Sequence, residues 1–218
     1  FMNNIFIKKN LIYILVFFSA VIGFYIIGDF GIGIEEHFQR KSGFYWLNYI
    51  LNFINLDFLS YEVSQKINEI ENFTPNLYPI EKVPYYGVIF DLPLAFVEII
   101  FGINHPQKYF LLRHVVIFLL FLLSAIFFYK IILNRFNNYY LANFGFLIFT
   151  YSPRIFGNIF FDNKDILFLS ILTINFYFLL KYIKNDSLKN LIYFSLLCAL
   201  SVSTRIIGIL IPLSFLFI

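Results

Sequence analysis

The sequence predicts an all-α fold: a polytopic transmembrane helical bundle whose long first outer loop carries interfacial helices. Three observations lead there. Only 13% of the 218 residues are charged and 60% are hydrophobic, with a mean hydropathy of +0.78, whereas soluble domains carry roughly 25% charged residues. Apolar runs of bilayer length recur along the chain. The short polar connections between the later runs are basic. The net charge of +3 is too small to suggest a nucleic-acid partner. Cys198 is the single cysteine and sits in an apolar run, so an intrachain disulfide is excluded and a structural role is expected.

Leu11–Gly28 is about 18 apolar residues, enough to cross a bilayer with little tilt. Lys8 and Lys9 precede it, and no small-residue cleavage site follows, which favours a first membrane helix over a signal peptide. Residues 29–108 then form a mostly polar loop with two apolar patches. Phe38–Leu59 is rich in aromatics, which favour the membrane interface, but Asn48, Asn52, Asn55 and Asp57 interrupt it. It is expected to lie on the membrane rather than across it. Val88–Gly102 contains Asp91, Pro93 and Glu98 and reads as a re-entrant or interfacial helix.

Tyr109–Leu133 is the second strong span and Asn134–Asn138 a polar turn. Tyr139–Tyr151 returns across; a further helix opens at Asp162–Asp165 and runs to about Lys181. Asn185-Asp186 marks a turn, and Leu191–Ile218 is a last span interrupted by Arg205 and Pro212. That makes about five transmembrane helices, with interfacial helices in 36–103, in one membrane domain. Because the chain opens Phe1-Met2 and stops inside an apolar run, it reads as the N-terminal part of a longer protein. Lys8, Lys9, Lys130, Arg135, Lys181, Lys184 and Lys189 form a consistent positive-inside set, against one acid, Asp186. The N-terminus is then cytoplasmic, and the loops at 29–108 and 152–165 face the other side.

Two acidic clusters fall in those outer loops. Glu35 and Glu36 follow the first span; adjacent helical residues point about 100° apart, so at most one faces a given site. They suit either the positive end of a following helix or the work of a general base. Asp162 and Asp165 share a helix face. They resemble a capping pair, and as carboxylates they could equally position a substrate or hold Mg²⁺ or Mn²⁺. Arg154, Lys164 and Arg205 are the cations beside them. Arg205 lies inside an apolar run with Ser201, Ser203 and Thr204, as an intrahelical salt partner or snorkelling side chain, or to capture a phosphate with its guanidinium fork. Arg113-His114 is a weaker candidate for the same task. His37, His105 and His114 show no zinc-ligand spacing, and no GxGxxG, Walker A or GxSxG motif occurs. Asn72-Phe73-Thr74 is a glycosylation sequon.

Four stretches stand in order along the chain: the acidic pair Glu35-Glu36 after the first membrane helix, YYGVIFDLPLAFVEIIFG at 85–102, PRIFGNIFFDNKD at 153–165 and STRIIG at 203–208. Together they resemble GT-C glycosyltransferases within the broad family of dolichyl-phosphate-mannose–protein mannosyltransferases (family 39). The second resembles a YG-x-x-F-D-L stretch of bacterial members, the third resembles P-R-F-x-G-x-x-F-x-N-P-K-D, and the fourth resembles a later helix motif. The chain departs from the pattern in having Glu at position 35, and in running from Asn163 directly into Lys164 without proline. The resemblance implies inverting transfer of a sugar from a polyprenyl-phosphate donor to a protein, lipid or glycan acceptor. Glu35 or Glu36 would be the base, with Arg154, Lys164, Arg205, Asp162 and Asp165 binding substrate, and possible Mg²⁺ or Mn²⁺ at Asp162 and Asp165. The expected location is a bacterial inner (plasma) membrane, with the active site on its non-cytoplasmic side. The rival expectations are a transporter or flippase for a lipid-linked or anionic substrate, and a non-catalytic membrane subunit.

Overall fold

A computed structural model describes residues 2–73 and 87–215. Tyr85 and Tyr86 of the 85–102 stretch, Thr74 of the sequon and the last three residues of the final apolar run lie outside the described residues. Every regular element among the described residues is helical. In order these are α1 (Met2–Ile26), a 3₁₀ turn (Ile27–Asp29), α2 (Glu36–Phe53), α3 (Asp57–Phe73), α4 (Asp91–Ile100), α5 (Pro106–Phe136), α6 (Tyr139–Tyr151), α7 (Pro153–Asn158), α8 (Asp165–Lys184), α9 (Leu188–Thr204), a second 3₁₀ turn (Ile206–Ile209) and α10 (Leu210–Phe215). Three segments are long and apolar enough to cross a membrane: Asn10–Asp29, Pro106–Phe136 and Asp165–Lys184. The chain divides into two compact units, residues 32–113 and residues 1–31 with 114–218.

The larger unit buries part of its apolar side chains and exposes many others. Tyr13, Phe17, Phe18 and Phe24 on α1, and Phe176, Leu180 and Ile183 on α8, are exposed. Such faces suit hydrocarbon rather than water. The helices contact one another through small polar groups and aromatic rings. Ser19 and Tyr151 share a 2.9 Å hydrogen bond between α1 and α6, and the fully buried Asn175 donates to Cys198 Sγ at 3.4 Å between α8 and α9. The structural role expected for Cys198 is thus the one it occupies. Phe160 stacks on Phe30 at 4.4 Å and on Phe118 at 5.3 Å, which holds the segment after α7 in place.

One expectation of length holds and one changes. Helix α6 has the expected bounds but only 13 residues, against about 20 for a full crossing. The apolar stretch from Leu191 is not one helix. Arg205 takes an extended conformation (φ −145°, ψ 135°) at the end of α9, and the chain restarts through a 3₁₀ turn. Gly208 makes the break possible: a Cβ there would lie 2.6 Å from the Ser201 carbonyl oxygen. Pro212 falls in the first turn of α10, where its missing N–H breaks no helical bond.

The smaller unit is a helical cluster. Phe44, Leu47 and Leu51 on α2 face Val63, Ile67 and Ile70 on α3, with Ala95 of α4 in the same core. The spacings of three and four residues are those of single helix faces. The expected patch at Phe38–Leu59 is therefore parts of two helices, separated by a turn in which Asn55 is left-handed (φ 56°), a conformation Asn tolerates better than most residues. α2 and α4 touch at Gly43, where a Cβ would stand 2.5 Å from the Asp91 carbonyl oxygen.

Candidate functional site

In the smaller unit the close approach at Gly43 brings a set of charges out of water. Helix α2 presents Glu36 and Arg40, four residues apart and so on one face. Helix α4 presents Asp91 and Glu98, two turns apart. The first turns of α5 supply Tyr109 and Arg113. All the ionisable members of this set except Tyr109 are buried, and Arg113 is fully so. Arg40 donates from Nε and Nη2 to Glu98 Oε2 at 3.0 and 2.9 Å. Arg113 donates through Nη1 to Glu98 Oε1 and to the Tyr109 carbonyl oxygen at 3.2 Å. Its Nε stands 3.6 Å from Asp91 Oδ1. The Arg40 guanidinium lies over the Tyr109 ring, 3.6 Å from its centroid.

Glu98 and Asp91 thus share two guanidiniums, with Glu36 buried nearby. Asp91, whose partner Arg113 is also held by Glu98, takes the consequence: burial pushes its pKa up to about 6, with Arg113 opposing and Glu36 and Glu98 adding to the rise. Burial, with help from Arg40, lowers the pKa of the neighbouring His37. Beside this cluster lies a cavity of about 350 Å³, bordered by Glu98, Phe44, Glu62, Lys66, Glu69 and Asn104.

Of the acidic pair, Glu36 is buried and Glu35 exposed, as the 100° spacing requires. Glu36 accepts from the Gly33 N–H at 2.7 Å while its own N–H donates to the Gly33 carbonyl at 3.1 Å. This is a reciprocal closure that starts α2. Glu35 is approached by Gln39 Nε2 at 3.5 Å. Arg113, a weaker phosphate candidate in the sequence, is fully buried and engaged by Glu98, Asp91 and a carbonyl. Sequence reasoning missed the Arg40–Glu98–Arg113 cluster. The signal was there: Glu98 and Arg113 each stand in an apolar run, and such charges usually pair.

In the larger unit, Asp162 caps α8. Its Oδ1 accepts the Asp165 N–H at 3.0 Å. Burial raises its pKa, and Arg205 and the backbone N–H of Lys164 pull the other way. Asp165, on the first turn of α8, forms an ion pair with Arg205 Nη2. Arg205 is thus not an intrahelical partner but bridges two helix ends. The pair is partly exposed, with side-chain exposures of 38% and 55%. Arg154 is exposed on α7, and Lys164 is half-buried at the N-terminal end of α8. Of the two aspartates, one bonds the start of α8 and the other is matched to a guanidinium. No group of three or more His, Cys, Asp or Glu able to hold a metal occurs among the described residues.

Arrangement and composition thus define, among the described residues, an all-helical chain compatible with a membrane, with a buried ion cluster and a helix-end ion pair. Compared with family models, curated proteins and solved structures, the chain matches none.

Proposed function

We propose that this chain belongs to a multi-pass membrane glycosyltransferase of the GT-C type, acting on the non-cytoplasmic side of a bacterial inner membrane. The sugar would come from a polyprenyl-phosphate donor and pass to a lipid, glycan or protein hydroxyl. The observation that carries this reading is the Asp165–Arg205 ion pair. It joins the 153–165 and 203–208 stretches, two of those on which the resemblance rests, at one end of α8. Arg205 there leaves a helix end with a partly exposed guanidinium suited to a phosphate. Arg154 and Lys164 add positive charge to the same stretch.

In the proposed transfer, Glu35 takes the proton from the acceptor hydroxyl, the hydroxyl oxygen forms the new glycosidic bond, and the bond to the phosphate oxygen breaks. The polyprenyl phosphate departs as an anion and keeps the bonding electrons. Stabilising that anion is the larger contribution; general-base help is worth roughly 10²–10⁴-fold. Glu35 is chosen over Glu36 because it is exposed, while Glu36 is committed to the turn at Gly33. No step is assigned to a metal.

One observation favours a second reading, a carrier for a lipid-linked or anionic substrate. The α9–α10 run is broken at a charged residue, as helices at transporter binding sites are. The experiment is reconstitution in liposomes with polyprenyl-phosphate-linked sugars, following release of polyprenyl phosphate. Release that disappears in Arg205→Ala supports the transferase. Movement of intact donor between leaflets without release would replace it with the carrier.

A further inference from the structure

At the opposite end of α8 from Asp165, about 30 Å away for a 20-residue helix, a cavity of about 440 Å³ lies between the C-terminal ends of α5 and α8. Ile131, Tyr177 and Leu180 line it, and Arg135, Lys181 and Lys184 stand around it. Helix C-termini favour cations, and a cytoplasmic face favours them too. Those two effects account for the charges but not for a hollow with apolar walls between them. None of the three cations forms a salt bridge among the described residues. The nearest acid in sequence, Asp186, interacts with the Tyr182 hydroxyl.

We propose that this cavity binds the headgroup of an anionic phospholipid. The phosphate would sit among Arg135, Lys181 and Lys184, and the first methylenes of the tail along Ile131 and Leu180. A free phosphate would use the cations and gain nothing from the apolar wall; a zwitterionic lipid would use the wall and bring its own cation against three others. The two halves of the lining together select an amphiphile with a net negative head. Basic pockets between helix ends on the cytoplasmic side recognise lipids in this way. The proposal rests on the chain spanning a membrane and is independent of any sugar transfer.

The test is native mass spectrometry of the full chain released from mixed phosphatidylglycerol and phosphatidylcholine, with inorganic phosphate as the competing probe. The wild type is expected to retain phosphatidylglycerol at least about tenfold over phosphatidylcholine. The triple variant Arg135→Gln, Lys181→Gln, Lys184→Gln should bring that ratio to within about twofold. Lys130→Gln with Lys189→Gln, which removes charge from the same two connections outside the cavity, should leave it unchanged. Equal retention of the two lipids by the wild type would overturn the proposal. So would an equal loss in the Lys130/Lys189 control, or complete displacement of lipid by millimolar phosphate.

Discussion

Arg40 donates through two of its nitrogens to a single carboxylate oxygen of Glu98, at 3.0 and 2.9 Å, and leaves the other oxygen to Arg113. One carboxylate therefore binds two buried guanidiniums. Glu98→Gln keeps the shape and removes the charge, so both arginines lose their common anion. Breaking a buried pair in this way costs about 3–5 kcal/mol. Unfolding in detergent should show a loss of that order. A loss below about 1 kcal/mol would mean that water or lipid headgroups reach the cluster.

Asp91 gives the smaller unit a pH dependence of defined sign. Below its ordinary value of 3.8 the carboxyl is protonated whether the chain is folded or not. Between 3.8 and about 6 only the folded chain keeps the proton, and above about 6 neither does. Its contribution is therefore fully present at low pH and is lost as pH rises through about 6, on the order of 3 kcal/mol for a shift of about two units. The stability of the wild type relative to Asp91→Asn should fall across this window and level off above it. A difference that is constant from pH 4 to pH 7 would place the Asp91 titration elsewhere.

How far this arrangement could be read in advance depends on which physics was local. Apolar runs long enough to cross a membrane announce themselves by composition alone; α5 and α8 lie close to the expected boundaries, whereas α1 starts at Met2, well before the expected Leu11. The Asp162 cap is also local, since donor and acceptor are three residues apart. Glu98 was visible only as a charge out of place; its partners Arg40 and Arg113 come from two other helices, and no spacing rule connects them. The break at Arg205 was half visible. Arg205 and Pro212 marked an interruption, but it is Gly208, folding back on Ser201, that lets the chain turn there.

Gly43 sets how closely α2 approaches α4. The Cβ of Gly43→Ala would meet the backbone carbonyl of Asp91 at 2.5 Å, and a helix backbone cannot yield as a side-chain tip does. Overpacking of this kind costs about 1–3 kcal/mol, more than the roughly 1 kcal/mol that alanine gains over glycine within a helix. The variant should be less stable than the wild type and should shift the Asp91 titration, because the helices carrying Arg40 and Asp91 must separate. Gly157→Ala, with open space around it, should be neutral or slightly stabilising. Equal behaviour of the two variants in thermal unfolding would contradict the contact.

Glu35 and Glu36 should separate by readout. Glu36→Gln disturbs a buried carboxyl that closes the turn onto Gly33, so it should lower the melting temperature. Glu35→Gln changes an exposed side chain and should leave stability within about 0.5 kcal/mol, while reducing sugar transfer by roughly 10²-fold or more. Full transfer activity in Glu35→Gln would remove it as the base.

The Asp165–Arg205 pair can be tested by exchanging its charges. Both side chains are partly exposed, and such pairs contribute roughly 0–1 kcal/mol. Arg205→Ala should therefore barely change stability. If Arg205 binds the donor phosphate, the same substitution should cost donor affinity out of proportion to its effect on folding. The double exchange Asp165→Arg with Arg205→Asp restores an ion pair between the same two helix ends but puts the guanidinium on α8. A purely structural pair predicts recovery of wild-type behaviour in donor binding and in transfer. The phosphate role predicts that stability recovers and donor binding does not. Equilibrium binding of a polyprenyl-phosphate sugar to the single and double variants, beside their melting temperatures, separates the two.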